Sequence, residues 1–297
     1  MKFSAWPSVT NPWSELVEEV QHVEDAGYYG VWIGDHFMAY GEDTSGPWQE
    51  AWSVLAGLAA LTSRVKLGTL VTGNTYRYPP ILAKQVAQVD IISNGRIVLG
   101  MGAGWQENEH VMYDVPFYSV PERLGRLAES IQIIRSLFSN ERTDFDGKYY
   151  QIKNAPLMPK PVQGAALPIM IGGGGEKVTL RLVARYADAW NVPGGPEVLA
   201  EKGRILDQHC ADAGRDPSTV WRTAALQVNI DPSVTALEQR GPFRVVANVS
   251  QLSDLVAHYR DAGANELIVH FNPRLPLTQR KDAWSAFSSE VAPLFLD

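Results

Sequence analysis

The sequence of 297 residues has a single cysteine, Cys210. One thiol closes no internal disulfide and gives no Cys/His cluster for a metal, so the fold must rest on its apolar core. Cys210 sits in a helical pattern, Ile205-Leu206-Asp207-Gln208-His209-Cys210, and is expected to be buried and inert. No metal site is expected. Excess positive charge is also missing. The net charge of −7 argues against nucleic acid or an anionic membrane surface as a partner. No apolar run is long enough to span a bilayer, and Met1 to Pro7 show no apolar signal segment. A cytoplasmic protein acting on a small molecule is expected.

What the sequence does have is an alternation. Short apolar runs read as strands at Phe3–Trp6, Gly30–Asp35, Val65–Val71, Ile97–Met101, Pro168–Ile171, Ala189–Val192, Thr223–Ile230 and Glu266–Phe271. Helical patterns lie between them. One opens at Asn11-Pro12, one covers Trp48–Leu61, one opens at Pro79-Pro80, and others start near Glu176, Pro196, Ser250 and Leu277. Eight strands alternating with helices predict a parallel sheet, and the even number favours a closed (β/α)8 TIM barrel forming one domain over residues 1–297. A faint repeat supports this: Asp25-Ala26-Gly27 and Asp261-Ala262-Gly263 each end a helix just before a buried strand. One insertion breaks the rhythm between strands 4 and 5. It holds a helix with Leu124, Leu127, Ile131 and Ile134, a hairpin turned at Asp146-Gly147, and a proline-rich stretch. Residues 143–163 are expected to border the active site.

The site itself should lie at the C-terminal ends of the strands. Asp35-His36 follows strand 2 and suits acid/base work, since histidine titrates near neutrality. Gly172-Gly173-Gly174-Gly175 lies between strand 5 and a helix, where unblocked backbone amides and a helix N-terminus favour an anion, most often phosphate. Glu107 and Glu109 read as a solvated helix start. Gly100-Met101-Gly102-Ala103-Gly104 lacks the third glycine of a dinucleotide fingerprint.

Several runs together resemble the luciferase-like monooxygenase superfamily. They are Leu67 to Val71, Tyr76 to Pro80, Gly95 to Trp105, Ile171 to Glu176 and Arg181 to Asn191. Within it the chain looks most like the branch that uses the deazaflavin coenzyme F420. The resemblance implies a hydride transfer between F420 and a small organic substrate. It implies cofactor contacts from Asp35, from the Leu70, Val71, Thr72 and Gly73 backbone, from Gly102, Ala103 and Gly104, and from Asn108. It places the cofactor phosphate at Gly172 to Glu176 and matches His36 to the family's active-site histidine. It also implies a cis peptide between Leu70 and Val71 and a homodimer. Cations such as Arg77, Lys177 or Arg181 would meet the anionic F420 tail. In the relative that oxidises a sugar phosphate, a glutamate follows the Gly-x-Gly of strand 4, whereas Trp105 stands here. An FMN-dependent two-component monooxygenase and a non-catalytic flavin-binding barrel are the alternatives.

Overall fold

The structure is a computed structural model and describes residues 1–296. Its barrel strands are β1 (Lys2–Ala5), β2 (Gly30–Ile33), β3 (Lys66–Thr69), β4 (Ile97–Gly102), β5 (Ile169–Gly172), β6 (Ala189–Pro193), β7 (Trp221–Ile230) and β8 (Glu266–Phe271). Each pairs in parallel with the next. β8 pairs back onto β1, with Lys2 opposite Glu266 and Ala5 opposite Val269. The sheet is therefore a closed (β/α)8 barrel. The helices around it are α1 (Trp13–Asp25), α2 (Ala51–Leu61), α3 (Pro79–Ser93), α4 (Glu107–Met112), α5 (Val120–Ser139), α6 (Thr179–Tyr186), α7 (Pro196–Asp212), α8 (Val249–Asp261) and α9 (Leu277–Ala286).

The pattern explains the layers. Strands covered on both faces read as continuous apolar runs, and Leu267, Ile268 and Val269 are all fully buried. Outward residues of the strands meet one face of each helix, such as Leu16, Val20 and Val23 of α1. The repeat at Asp-Ala-Gly is real: Gly27 and Gly263 both take positive φ, +82° and +94°, right after α1 and α8. Inward residues fill the barrel with Trp32, Met170, Ala189 and Ile268.

Along β8 the inward positions alternate Glu266, Ile268, His270. Glu266, at the N-terminal end, is buried and accepts the indole N–H groups of Trp32 (2.8 Å) and Trp221 (2.9 Å). Burial raises its carboxyl, and these bonds offset only part of that. His270, near the mouth, donates from Nδ1 to the Trp6 carbonyl at 2.7 Å. Burial pushes its imidazole down to about 4 from 6.5. The folded chain then binds fewer protons than the unfolded one between these values, so stability should fall as pH drops from 6.5 towards 4. The loss is at most about 3 kcal/mol. Urea titrations at several pH values should show that slope, and His270→Gln should flatten it. Equal slopes in both proteins would remove His270 as its source.

The structure corrects two boundaries and adds two strands. α2 starts at Ala51, not Trp48, because the Glu50 carboxylate caps the Trp52 and Ser53 amides. α6 starts at Thr179, three residues after Glu176. The strands Glu238–Gly241 and Arg244–Ala247, not read from the sequence, extend the sheet beside the end of β7. The hairpin at Asp146-Gly147 is present, as Arg142–Asp146 against Gln151–Pro156. Its Tyr150 ring meets Tyr78, just before α3. The chain then runs to the other end of the barrel, where the Gln163 amide bonds Asp90 and the Ile97 carbonyl. So 143–163 does not border the mouth throughout. The Leu70–Val71 peptide is cis, as expected.

Candidate functional site

The residues singled out after each strand converge at the C-terminal mouth, but in a different electrostatic arrangement from the expected one. Asp35, just beyond β2, is 1% exposed. Its two oxygens receive Arg77 at 2.6 and 3.2 Å, and the same guanidinium reaches Glu50 at 2.6 Å. Burial raises the Asp35 carboxyl, with Arg77 pulling it back. Burial also opposes the Arg77 charge, but the two carboxylates more than offset this and hold its pKa above the ordinary value. Arg77 is therefore not a free cation awaiting an anionic tail. Lys177 and Arg181 are exposed.

His36 sits one residue on and is tied at one nitrogen. Its Nδ1 lies 2.8 Å from Glu109 Oε1. A carboxylate only accepts, so Nδ1 carries the hydrogen, and Nε2 has no hydrogen-bond partner among the described residues. Glu109 is 1% exposed and also accepts the Phe37 amide at 2.8 Å and the Tyr76 hydroxyl. Burial alone would raise Glu109, yet the bonds from His36, Phe37 and Tyr76 hold it below the usual carboxylate range. The reading of Glu109 as solvated is thus corrected. Glu107, its neighbour in α4, is exposed.

Across the mouth, β3, β4 and β5 come close together. A Cβ on Gly102 or Gly172 would lie 2.8 or 2.9 Å from Val71 Cγ2. Thr72 is buried and accepts the Trp52 indole at 3.1 Å, while Gly73 pairs with Gly102. Ala103 and Gly104 carry the chain from β4 to α4, where Asn108 accepts the Glu109 amide. Asn74 Nδ2 and Asn108 Nδ2 are buried with no partner among the described residues. Buried unpaired donors of this kind call for a ligand or ordered water. In the glycine loop, the Gly173 amide bonds Asn191 O within the barrel. The amides of Gly174, Gly175, Glu176 and Lys177 have no acceptor among the described residues. Glu176 turns away to pair with Lys202 of α7.

Aromatic rings enclose the His36 side. Trp105 lies 5.4 Å from the imidazole, and Trp48 lies 5.9 Å from it, both edge-on. Tyr40 lies 5.8 Å from Trp105 and 6.3 Å from Trp48. A cleft of about 340 Å³ is lined by Phe37, Trp48, Glu50, Tyr76, Tyr113 and Val115. The described residues contain no group of acids, histidines or cysteines arranged to hold a metal. None of their helices is long and apolar enough to cross a membrane.

Residues 1–271 match the luciferase-like monooxygenase family. The chain belongs to that family. An F420-dependent glucose-6-phosphate dehydrogenase of Amycolatopsis mediterranei is 36% identical over 175 residues. That alignment takes in 58% of this chain and only 50% of the relative. An F420-dependent hydroxymycolic acid dehydrogenase of Mycobacterium tuberculosis is 32% identical over 258 residues, covering 85% of this chain and 69% of the relative. A solved F420-dependent secondary alcohol dehydrogenase, in complex with an F420-acetone adduct, superposes with a TM-score of 0.87 at 21% identity. It covers 100% of this chain and 99% of that one, and the likeness is one of fold. In this luciferase-like barrel, sequence reasoning missed Glu109, Tyr76 and Glu50. The available signal was that a histidine beside a buried strand end needs an oriented partner.

Proposed function

We propose that the chain is an oxidoreductase that moves a hydride between coenzyme F420 and a small organic substrate. The observation that carries this is the fixed His36: its Nδ1 is held by Glu109 at 2.8 Å, at the mouth of a luciferase-like barrel. The relatives named above, F420-dependent dehydrogenases, support the choice of cofactor.

The chain's own groups fit such a cofactor. The unpartnered amides from Gly174 to Lys177 suit its phosphate. The orphaned Asn74 and Asn108 amide groups suit the polar edge of a ring system. Leu70 to Gly73 and Gly102 to Gly104 would supply backbone around it, and Asp35 is held in place by Arg77. When bound, the deazaflavin supplies a carbon centre that accepts or gives a hydride. His36 Nε2 takes the substrate proton in oxidation and returns it in reduction. Glu109 positions that ring. Exposed Lys177 and Arg181 are the cations offered to an anionic tail. A soluble homodimer in the cytoplasm completes the reading.

Titration with F420 and, separately, with FMN tests it by fluorescence quenching. F420 should bind tighter. Gly174→Leu should weaken F420 binding by about 10- to 100-fold, the scale of one or two charge-assisted bonds. A Cβ there meets Val192 Cγ2 at 3.2 Å, so a melting curve should accompany the titration. Unchanged F420 affinity in a folded variant would place the phosphate elsewhere, and preference for FMN would overturn the cofactor assignment.

A further inference from the structure

We propose that Lys202 and His209 of α7 are positioning residues for the phosphate loop: they hold Glu176 from the outside, so that the amides of the loop stay turned towards the anion. This rests on the F420 reading above and deepens it at the phosphate end of the same site.

The sequence places the two side chains together. Lys202 and His209 are seven residues apart in α7, which sets them on one face, two turns and about 10.5 Å from each other. The adjoining face, with Leu199, Leu206 and Cys210, is the buried one. Lys202 and His209 are only half-buried, and both reach the same residue of the glycine loop.

His209 fixes a peptide plane. Its Nε2 lies 2.8 Å from the Glu176 carbonyl oxygen, which only accepts, so Nε2 carries the hydrogen. The Glu176–Lys177 peptide is trans, and a planar trans peptide points its carbonyl and its N–H to opposite sides. With the carbonyl turned to His209, the Lys177 N–H faces away from α7. The preceding plane is set in the same manner from α6, because the Gly175 carbonyl accepts the Leu180 amide at 3.0 Å. The Glu176 N–H therefore faces away from that amide. Both N–H groups have no acceptor among the described residues. Two consecutive donors held from behind make a concave anion site, and the bonds that hold them lie outside it.

Lys202 deals with charge. Glu176 stands within the loop, and a loose carboxylate there would repel a phosphate. Its pairing with Lys202 Nζ holds that carboxyl below the usual range, so it stays ionised and turned to α7. Lys202 is itself flanked by Glu201 at 3.8 Å. Exposed pairs of this kind add little to stability, so the use of this one is to keep the Glu176 charge away from the anion.

The test compares three ligands: F420, inorganic phosphate, and the deazaflavin cut back to its ribityl group, which has neither phosphate nor tail. Fluorescence quenching reads the two deazaflavins, and nitrogen-15 shifts of the 174–177 amides read phosphate. His209→Phe should weaken F420 and phosphate alike by about 3- to 10-fold, the scale of one hydrogen bond. Lys202→Met should weaken both by about 2- to 5-fold, and the double variant by about tenfold or more. His209→Gln keeps a side-chain N–H donor and should restore most of the loss. The phosphate-free deazaflavin should bind every variant as it binds the parent chain, which a general loosening of the barrel would not allow. Lys202 is half-buried in a surface pair, so Lys202→Met keeps the test open should His209→Phe melt early. Unchanged affinities in the double variant, equal weakening of the phosphate-free deazaflavin, or loop amides that shift with neither F420 nor phosphate would each overturn the proposal. Phosphate binding with the expected losses in a chain that takes up no F420 would sink the cofactor reading and leave the two braces standing.

Discussion

Replacing His36 by alanine is expected to lower turnover by about 10²- to 10⁴-fold, the usual contribution of a placed acid/base group, while F420 binding changes little. The imidazole is 15% exposed and bonded at one nitrogen only by Glu109 and its neighbour Tyr76. Its loss should therefore spare the core. Stopped-flow rates separate the chemical step from binding. A His36→Ala enzyme that binds F420 and turns over at full rate would falsify the role. Glu109→Gln is the companion variant. Glu109 touches His36, not the reacting atoms, so it acts as a positioning residue. Glutamine keeps the size but offers one acceptor oxygen where Glu109 offers two, against donors from His36, Phe37 and Tyr76. Turnover should fall, and nitrogen-15 spectra should show His36 drifting from the Nδ1–H tautomer. A purely structural Glu109 would leave that tautomer ratio alone.

The second large effect is on stability. Arg77→Met should destabilise the fold by about 3–5 kcal/mol, the usual cost of leaving one buried charge without its partner. Asp35 is 1% exposed and has Arg77 on both oxygens. Without the guanidinium, burial would drive its carboxyl higher still, and it would take up a proton on folding. The sign follows. A carboxyl with a raised folded pKa contributes stability fully present below its unfolded value of about 3.8 and lost as pH rises through the folded one. The variant should thus suffer less at low pH than at neutral pH. Adding Asp35→Asn should recover much of the loss. Urea denaturation of the two single variants and the double variant measures this. A single-variant cost under about 1 kcal/mol would mean that the pair behaves as a surface bridge.

The barrel was legible because it is written locally. Each buried strand is a short apolar run, and the stops at Gly27 and Gly263 need only the chain's own turn geometry. The glycines at 172–175 were legible for the same reason. Long-range pairing was not. Glu109 in Glu107-Asn108-Glu109 looks like any acidic first turn. Its burial is decided by His36, Phe37 and Tyr76, which the chain brings in from other strand ends. Arg77 looked free because both its carboxylates are distant in sequence. The start of α6 was misplaced because the glycine loop runs on through Glu176, Lys177 and Val178 as a turn. Those residues lengthen the stretch of open amides.

The seam between β1 and β8 also bears on how the chain reaches this state. Lys2 meets Glu266 across almost the whole sequence. Such a pairing has a very high loop-closure separation, and folding slows as contacts become less local. On the ribosome, Phe3 to Ala5 are made before Leu267 to Val269 and find their last neighbour only once those residues exist. Until then β1 and β7 are both open edges flanked by apolar side chains, which is the state most prone to wrong strand pairing. The indole of Trp32 and that of Trp221 converge on Glu266 at that seam. Ring closure should therefore be the late event of refolding, reported by a change in tryptophan emission. A Glu266→Leu chain, lacking the shared acceptor, should close more slowly and aggregate more readily at the same concentration.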